Sequence, residues 1–386
     1  DTLYTYSELR SGWICLTKKS GKELQERTLS IAEKKMFDEA KLTEIGNLEG
    51  SNAIRFVTNP NEIQRIKESF GHRIMPSRFI LTKKQQEVGQ MWKAKARWIL
   101  LGHKDPNAQQ LERHAPTPAT PTVYLAFQIL SSLRYKLVIM DVSSAFGQSA
   151  KTDTIIQILT AVYGLVNAPA VWRKTVQRVL DQLGYVESTF DPCLYYLPFL
   201  ASENPQRLRG CAGLVPLDVD DFVQGGNERH SQLMESLRQK FRFGKWRVIY
   251  GSSGEYLGRT VHQTEEFEIH VSMDIEEKLK PIILSRDKVK DESRVLDASE
   301  TTLVRGAGGS LLWIGRECRP DLGASCAMSM SWSKEGPTVR NIKFINKTIQ
   351  ELHNTPEVLL KIISISLEDG LWMVFSDASV GNDGDK

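Results

Sequence analysis

The sequence is poor in the features that would mark a thiolate metal site, a disulfide scaffold or a membrane protein. Its five cysteines, Cys15, Cys193, Cys211, Cys318 and Cys326, are odd in number, widely spread and without a C-x-x-C pair. That pattern excludes a disulfide framework and a structural zinc site, and the thiols read as reduced core residues. The seven histidines form no H-x-x-x-H or His/Cys cluster, so a transition-metal centre is not expected. No run approaches the roughly 18 apolar residues of a membrane span, and the start has no basic, apolar and small-residue signal pattern. A soluble, intracellular protein without a membrane partner is the expectation. One-sided charge is also missing, since 50 basic and 47 acidic residues leave a formal charge of +3. Internal repeats and low-complexity tracts are absent as well.

What remains is enough for a globular fold. A chain of 386 residues with 41% hydrophobic content is too long for one ordinary domain and suits two or three packed subdomains. Between Glu62 and Lys104 ten Lys/Arg face three Glu, with Phe70, Phe79, Trp92 and Trp98 interleaved. Such a stretch can meet phosphates, although a solvated basic face would read the same way.

Periodicity organises the rest. A helix through Lys34 to Ile45 would bury Phe37 and Ala40 and stop at Gly46. From Met75, MPSRFILTKK and KAKARWILLGHKDP read as strands joined by a turn. A helix follows around Val123 to Leu133, and the apolar strand Leu137 to Met140 then delivers Asp141. Pro169 opens a helix in which Trp172, Val176, Val179, Leu180 and Leu183 recur until Gly184. In GCAGLVPLDVDDFVQGG two apolar arms flank Asp220 and Asp221, the pattern of a β-hairpin with carboxylates at its bend. Ile342, Ile345, Ile349 and Leu352 mark another amphipathic helix, and GLWMVFSDAS reads as a strand ending at Asp377. Strands and helices mix without strict βαβ alternation, which gives an α+β class.

Three aspartates carry the candidate chemistry. Nucleotidyl transfer needs divalent ions that activate a hydroxyl and neutralise an attacked phosphate, and hard Mg²⁺ is held by carboxylate oxygens together with substrate phosphates. Asp141 ends one strand, and Asp220 with Asp221 occupies a hairpin that could lie beside it. Taken singly, an aspartate after a strand is usually a solvated loop residue and an Asp-Asp pair usually a plain turn.

The order of motifs adds more. KAKAR, ERHAPT, MDVSSAF, VYGLVNAPAVW, LGYVESTFDPCLY, VDDFVQGG, EYLG, RGAGGSLLWIGRECRPDL and SDAS follow one another from about Met75 to Ser379. In this order they resemble the blocks of reverse transcriptases from Ty1/copia-type LTR retrotransposon Pol polyproteins. The resemblance implies a right-hand polymerase of fingers, palm and thumb, followed by a connection region and the start of an RNase H-like domain. It divides the chain into a lead segment (1–60), fingers and palm (61–263), thumb and connection (264–365) and the RNase H-like start (366–386). It implies an RNA-directed DNA polymerase that adds deoxynucleoside triphosphates to a primer with two Mg²⁺ ions, Mn²⁺ being a possible substitute. Its partners would be an RNA/DNA template-primer and the rest of the polyprotein, integrase and RNase H, and its location the cytoplasm, within a virus-like particle, or the nucleus.

Residue by residue, Asp141 resembles the first metal-binding carboxylate and Asp220 and Asp221 the palm-hairpin pair, Asp220 being the closer ligand. Lys95 and Arg97 resemble the fingers residues that meet the triphosphate. Phe146 matches the aromatic under the incoming sugar, which implies a preference for deoxynucleotides, though a buried turn would use the same residue for its core. Gly164, opening GLVNAP, resembles the turn behind the nascent base pair, and Tyr256, Leu257 and Gly258 the primer grip. Asp377 resembles the first RNase H carboxylate; its companions do not occur before Lys386, so this chain alone is not expected to act as an RNase H, and it reads as a piece of something longer.

Departures from the family bear on activity. Only 23 residues separate Asp141 from Gly164, a span shorter than the family's, as if an element had been removed near Gly147. The hairpin has Asp218 where the family commonly has an aromatic, and alternation would turn Asp218 to the same side as Asp220. Pro216 removes a backbone donor from a strand expected to be central. A second reading therefore stands beside the first: a catalytically inactive remnant that binds nucleic acid through the segment from Glu62 to Lys104.

Overall fold

A computed structural model describes residues 3–6, 23–84, 92–111, 116–142, 155–159, 162–274, 279–332 and 336–369. Phe146, Asp377 and the strand expected in GLWMVFSDAS lie outside them. The chain forms two compact units, one from residues 1–115 and 143–179, the other from 116–142 and 180–386.

The first unit is built on a mixed five-stranded sheet. Strands β1 (Leu3–Tyr6), β2 (Ile54–Val57), β3 (Ile74–Lys84), β4 (Lys93–Leu100) and β6 (Ile155–Ile158) stand in the order β2-β6-β1-β3-β4. β1 and β3 run parallel and the other neighbours antiparallel. The basic segment is thus the expected strand pair, with Thr82 opposite Lys95 and Ile80 opposite Arg97. Alternation along β4 buries Ala94, Ala96, Trp98 and Leu100 and turns Lys93, Lys95 and Arg97 to the other face. Helix α1 (Ile31–Gly50) begins at Ser30, whose hydroxyl and the Glu33 carboxylate form a reciprocal capping box. It continues through Gly46 to Gly50, because Leu48 is fully buried in the same core as Ile45 and Trp98 and holds the last turn. A glycine inside a helix costs about 1 kcal/mol, which that burial exceeds. Helix α2 (Pro60–Phe70) starts with Asn59 as its cap.

The second unit holds the hairpin. Helix α3 (Thr120–Ser132) leads to β5 (Val138–Val142); α4 (Ala168–Gln182), the expected helix around Pro169 with Val176 and Leu180 buried, belongs to the first unit up to Val179, and only its last three residues are counted with the second. Then come β7 (Val186–Glu187), β8 (Leu194–Leu197), β9 (Gly213–Asp218), β10 (Asp221–Gly226), α5 (Glu228–Lys240) and β11 (Phe243–Val248). They form a six-stranded sheet in the order β11-β5-β10-β9-β8-β7. A second sheet, β12 (Ser252–Tyr256), β13 (Arg259–Gln263), β14 (Ile269–Ser272) and β15 (Leu360–Ile362), is antiparallel throughout. Helices α6 (Ala298–Glu317), α7 (Gly323–Met328) and α8 (Val339–Asn354) complete the unit. Phe127, Ile139, Val223, Val261, Leu311 and Ile345 belong to one continuous core. β12 passes so close over β5 that a Cβ on Gly254 would lie 2.9 Å from Ile139 Cδ1.

Pro216 does sit inside an internal strand. The β9–β10 ladder pairs Phe222 with Leu217 and then resumes at Gly225 with Leu214, so the pairing opposite Pro216 is skipped. Of the cysteines, Cys193, Cys211, Cys318 and Cys326 are buried thiols outside any disulfide, as expected. No described helix is long and apolar enough to cross a membrane.

Gly226, the last residue of β10, has a packing reason. His230 of α5 is buried against the paired glycines Gly213 of β9 and Gly226 of β10, its Nδ1 2.8 Å from the Tyr185 hydroxyl and its Nε2 against Gln224 Oε1. A Cβ on Gly226 would fall 2.4 Å from the His230 ring. Gly226→Ala should therefore destabilise the protein by about 2 kcal/mol through overpacking, measured by urea unfolding, and adding His230→Ala should recover part of that loss. A neutral Gly226→Ala would mean that the ring is not wedged there.

Candidate active site

Strand pairing brings carboxylates 80 residues apart in sequence into one row. Asp221, the first residue of β10, stands opposite Asp141 of β5 on one side and Asp218 of β9 on the other. On the far side of Asp141 lies Lys245 of β11. Directly opposed residues of antiparallel strands share a face, so Lys245, Asp141, Asp221 and Asp218 form a charged row across the end of the sheet. Inward along the same face come Ile139 and Val223, paired with each other and buried in the core. The apolar arms read in the sequence are thus what fixes the register: a one-residue slip would put Val223 and Ile139 on opposite faces.

Asp220 sits in the turn with Val219. Val219 has φ +48°, a left-handed conformation that is a rare and strained choice for a β-branched side chain. The turn interrupts strict alternation, so Asp218 shares its face with Asp221 and Asp141, and the period-two grouping of Asp218 with Asp220 does not carry through the bend. Asp220 nevertheless remains close enough to repel both Asp218 and Asp221.

Electrostatics follow from that crowding. The Asp221 carboxyl is pushed from its ordinary 3.8 up to about 6, first by burial and then by Asp220, Asp141 and Asp218, with Lys245 opposing. Burial, with Asp220, also raises Asp218, against the pull of Arg259. Among the described residues no three His, Cys, Asp or Glu side chains are gathered as a ready metal cage. The donors are nonetheless hard oxygens at one strand end, which suits an ion whose remaining ligands are water and substrate phosphates.

The tripeptide Tyr256, Leu257, Gly258 lies in the same unit. Tyr256 ends β12 and pairs with Arg259, and Leu257 (φ +50°) and Gly258 (φ +76°) make a tight two-residue turn. The Tyr256 ring is fully buried, 6.4 Å from that of Phe127. Trp313 of α6 covers the turn, its ring 3.1 Å from where a Gly258 Cβ would stand.

Lys95, Arg97 and Gly164 belong to the other unit. The Arg97 guanidinium is exposed and lies 5.5 Å from the Tyr163 ring centre. Beneath the strand, Glu44 accepts a hydrogen bond from the Trp98 N–H at 3.3 Å. Burial pushes its carboxyl up to about 8, opposed by that bond and by Lys95 and Arg97. Gly164 (φ +91°) accepts a bond from Gly102 N–H at 3.1 Å, and a Cβ there would overlap Leu100 O, so the turn admits only glycine.

Sequence reasoning missed Arg259 and Glu317. They form a buried ion pair through Arg259 Nε, at 2.9 Å, and Nη2, while Thr120 Oγ1 donates to the same carboxylate at 3.2 Å and the Tyr124 hydroxyl to the Glu317 carbonyl. Their only sequence trace is position, Arg259 directly after EYLG and Glu317 just before CRPDL. Lys245 was equally silent, one cation in a run of mixed residues.

No protein-family model matches the chain. Two curated proteins of Arabidopsis thaliana do, the retrovirus-related Pol polyproteins from transposons RE2 and RE1. Each is 25% identical, over 190 and 189 residues respectively, covering 44% of this chain and 12% of the relative. The chain thus spans only a small part of those relatives. Among solved structures, the foamy viral protease-reverse transcriptase in complex with double-stranded DNA matches at a TM-score of 0.39 and 10% identity, over 80% of this chain and 46% of that one, too distant to argue from. Over less than half of its length, the chain is therefore similar in sequence to retrotransposon Pol polyproteins.

Proposed function

We propose that the chain is the polymerase segment of a copia-type retrotransposon and extends a primer on an RNA or DNA template with deoxynucleoside triphosphates. The observation that carries this reading is the register that sets Asp141 beside Asp221, with Asp220 in the adjoining turn. Asp141, Asp220 and Asp221 would hold two Mg²⁺ ions. When bound, such ions activate the primer hydroxyl and neutralise the attacked phosphate. Lys95 and Arg97 would donate to the triphosphate, Phe146 would exclude a 2′-hydroxyl, Gly164 would support the nascent base pair, and the Tyr256–Gly258 turn would hold the primer end. The raised Asp221 carboxyl supports the cation reading, because a cluster of mutually repelling carboxylates is relieved by divalent charge. Integrase and RNase H from the same polyprotein, whose RNase H-like part would begin near Asp377, would act on the product.

The alternative, a remnant that binds nucleic acid without polymerising, draws on the exposed cations of β4 and predicts binding that weakens steeply with salt.

Primer extension on a homopolymer template with Mg²⁺ or Mn²⁺ tests the first reading. Asp220→Asn should lower the rate by roughly a hundredfold or more; equal rates for the two proteins would end the assignment. Stability gives a second test. An acid raised in the folded state keeps its proton there after the unfolded chain has lost it, so the metal-free fold loses stability as pH rises from about 4 to about 6. Asp221→Asn should stabilise the metal-free protein at pH 7 by about 1 kcal/mol, after allowance for solvent screening, and change little at pH 3.5. Urea unfolding at both pH values measures the difference, and an Asn variant no more stable at pH 7 would show that the carboxylates do not repel as described.

A further inference from the structure

Three buried polar atoms near the carboxylate row lack a hydrogen-bond partner. Asp218 Oδ1, the Tyr256 hydroxyl and Arg259 Nη1 are all buried, and none has a hydrogen-bond partner within the protein. Tyr256 is 1% and Arg259 5% exposed. Strand pairing joins two of them, and the third lies within reach of their charge. Tyr256 and Arg259 face each other across the β12–β13 turn, and both act electrostatically with Asp218 at the end of β9. Arg259 commits Nε and Nη2 to Glu317, which leaves Nη1 as a free donor.

Their chemistry is complementary. A carboxylate oxygen accepts, a guanidinium N–H donates, and a phenol hydroxyl donates. An unpartnered buried polar group is costly, and three unpartnered groups of matching character at one place are best served by each other, directly or through one shared water.

We infer that Asp218 is held by Arg259 and Tyr256 and stands outside the cation-binding set, so that Arg259, seated on Glu317, positions the carboxylate hairpin against the β12–β13 turn. The inference rests on the polymerase reading for what the hairpin does, but not for the contact itself. It answers the question raised by an aspartate in place of the family's aromatic. The extra carboxylate, although on the same face as Asp141 and Asp221, is engaged by a buried guanidinium, and Asp218 with Arg259 replaces what a ring would do by packing. Arg259 is a positioning residue, acting on the site through Asp218. The same contact would tie β9, the partner strand of the hairpin that carries Asp221, to the turn that carries Gly258.

The test needs no catalysis. Tyr256→Phe keeps the ring and removes only the hydroxyl; deleting an unpartnered buried hydroxyl stabilises a protein, whereas deleting one that serves Asp218 destabilises it. Tyr256→Phe is expected to lower the melting temperature, and the loss is expected to vanish in an Asp218→Ala background. Arg259→Lys, which keeps a charge on Glu317 but has no fork, should likewise combine with Asp218→Ala non-multiplicatively, by roughly tenfold in the unfolding equilibrium constant. A Mn²⁺ titration followed by thermal shift separates position from ligation. Arg259→Lys, which leaves every carboxylate in place, should shift the Mn²⁺ midpoint to within roughly twofold of the shift in Asp218→Ala, and the double variant should shift no further than the larger single one; a shift in Asp218→Ala alone would make Asp218 a ligand and overturn the inference. A melting temperature unchanged or raised by Tyr256→Phe, or effects of Arg259→Lys and Asp218→Ala that simply multiply, would overturn the inference whether or not the protein polymerises. Coupling intact without primer extension would instead sink only the polymerase reading.

Discussion

The pairing of β10 with β5 is the constraint on which the site depends. It is fixed one step inward from the charges, by Val223 against Ile139 and by the core beneath them. Burial of those side chains, at about 25 cal/mol per Å² of apolar surface, holds Asp141 and Asp221 side by side although their charges repel. The energy that assembles the carboxylates therefore comes from the apolar arms, and the carboxylates spend part of it. This is the usual economy of a functional site, in which strain and unfavourable charge persist only where the surroundings over-determine them. Val219, left-handed at the bend, is a second instance within two residues.

Much of this was legible in the sequence. The hairpin announced itself through two apolar arms around Asp-Asp, and the strand ahead of Asp141 through a run of four apolar residues. The strand pair of the basic segment and the helix at Pro169 followed from period and turn chemistry alone. The end of α1 was misplaced at Gly46 because local propensity favours a stop there, whereas burial of Leu48 carries the helix to Gly50. The grouping of Asp218 with Asp220 failed for a related reason, since alternation counts residues along a straight strand and the chain bends at Val219.

The Arg259–Glu317 pair was not legible at all. Fifty-eight residues separate its members, neither lies in a charge pattern, and a buried ion pair leaves no periodic trace. Such a pair is a weak source of stability, because desolvation offsets most of the attraction. Its value here is geometric. It seats a guanidinium at the foot of the β12–β13 turn, with one N–H to spare, next to an aspartate that the hairpin would otherwise have to bury uncompensated. Glycines tell a similar story of space that only the folded chain defines: Gly226 yields to His230, and Gly164 to the Leu100 carbonyl.

The central claim is that the row formed by Asp141 and Asp221, with Asp220 beside it, exists to hold divalent cations, while Asp218 belongs to the buried cluster behind it. Anomalous diffraction from Mn²⁺-soaked crystals tests it most directly. The account predicts an anomalous peak in contact with the carboxylates of Asp141 and of Asp220 or Asp221, and none on Asp218. A protein that binds no Mn²⁺ at this row, or binds it through Asp218, would contradict the account.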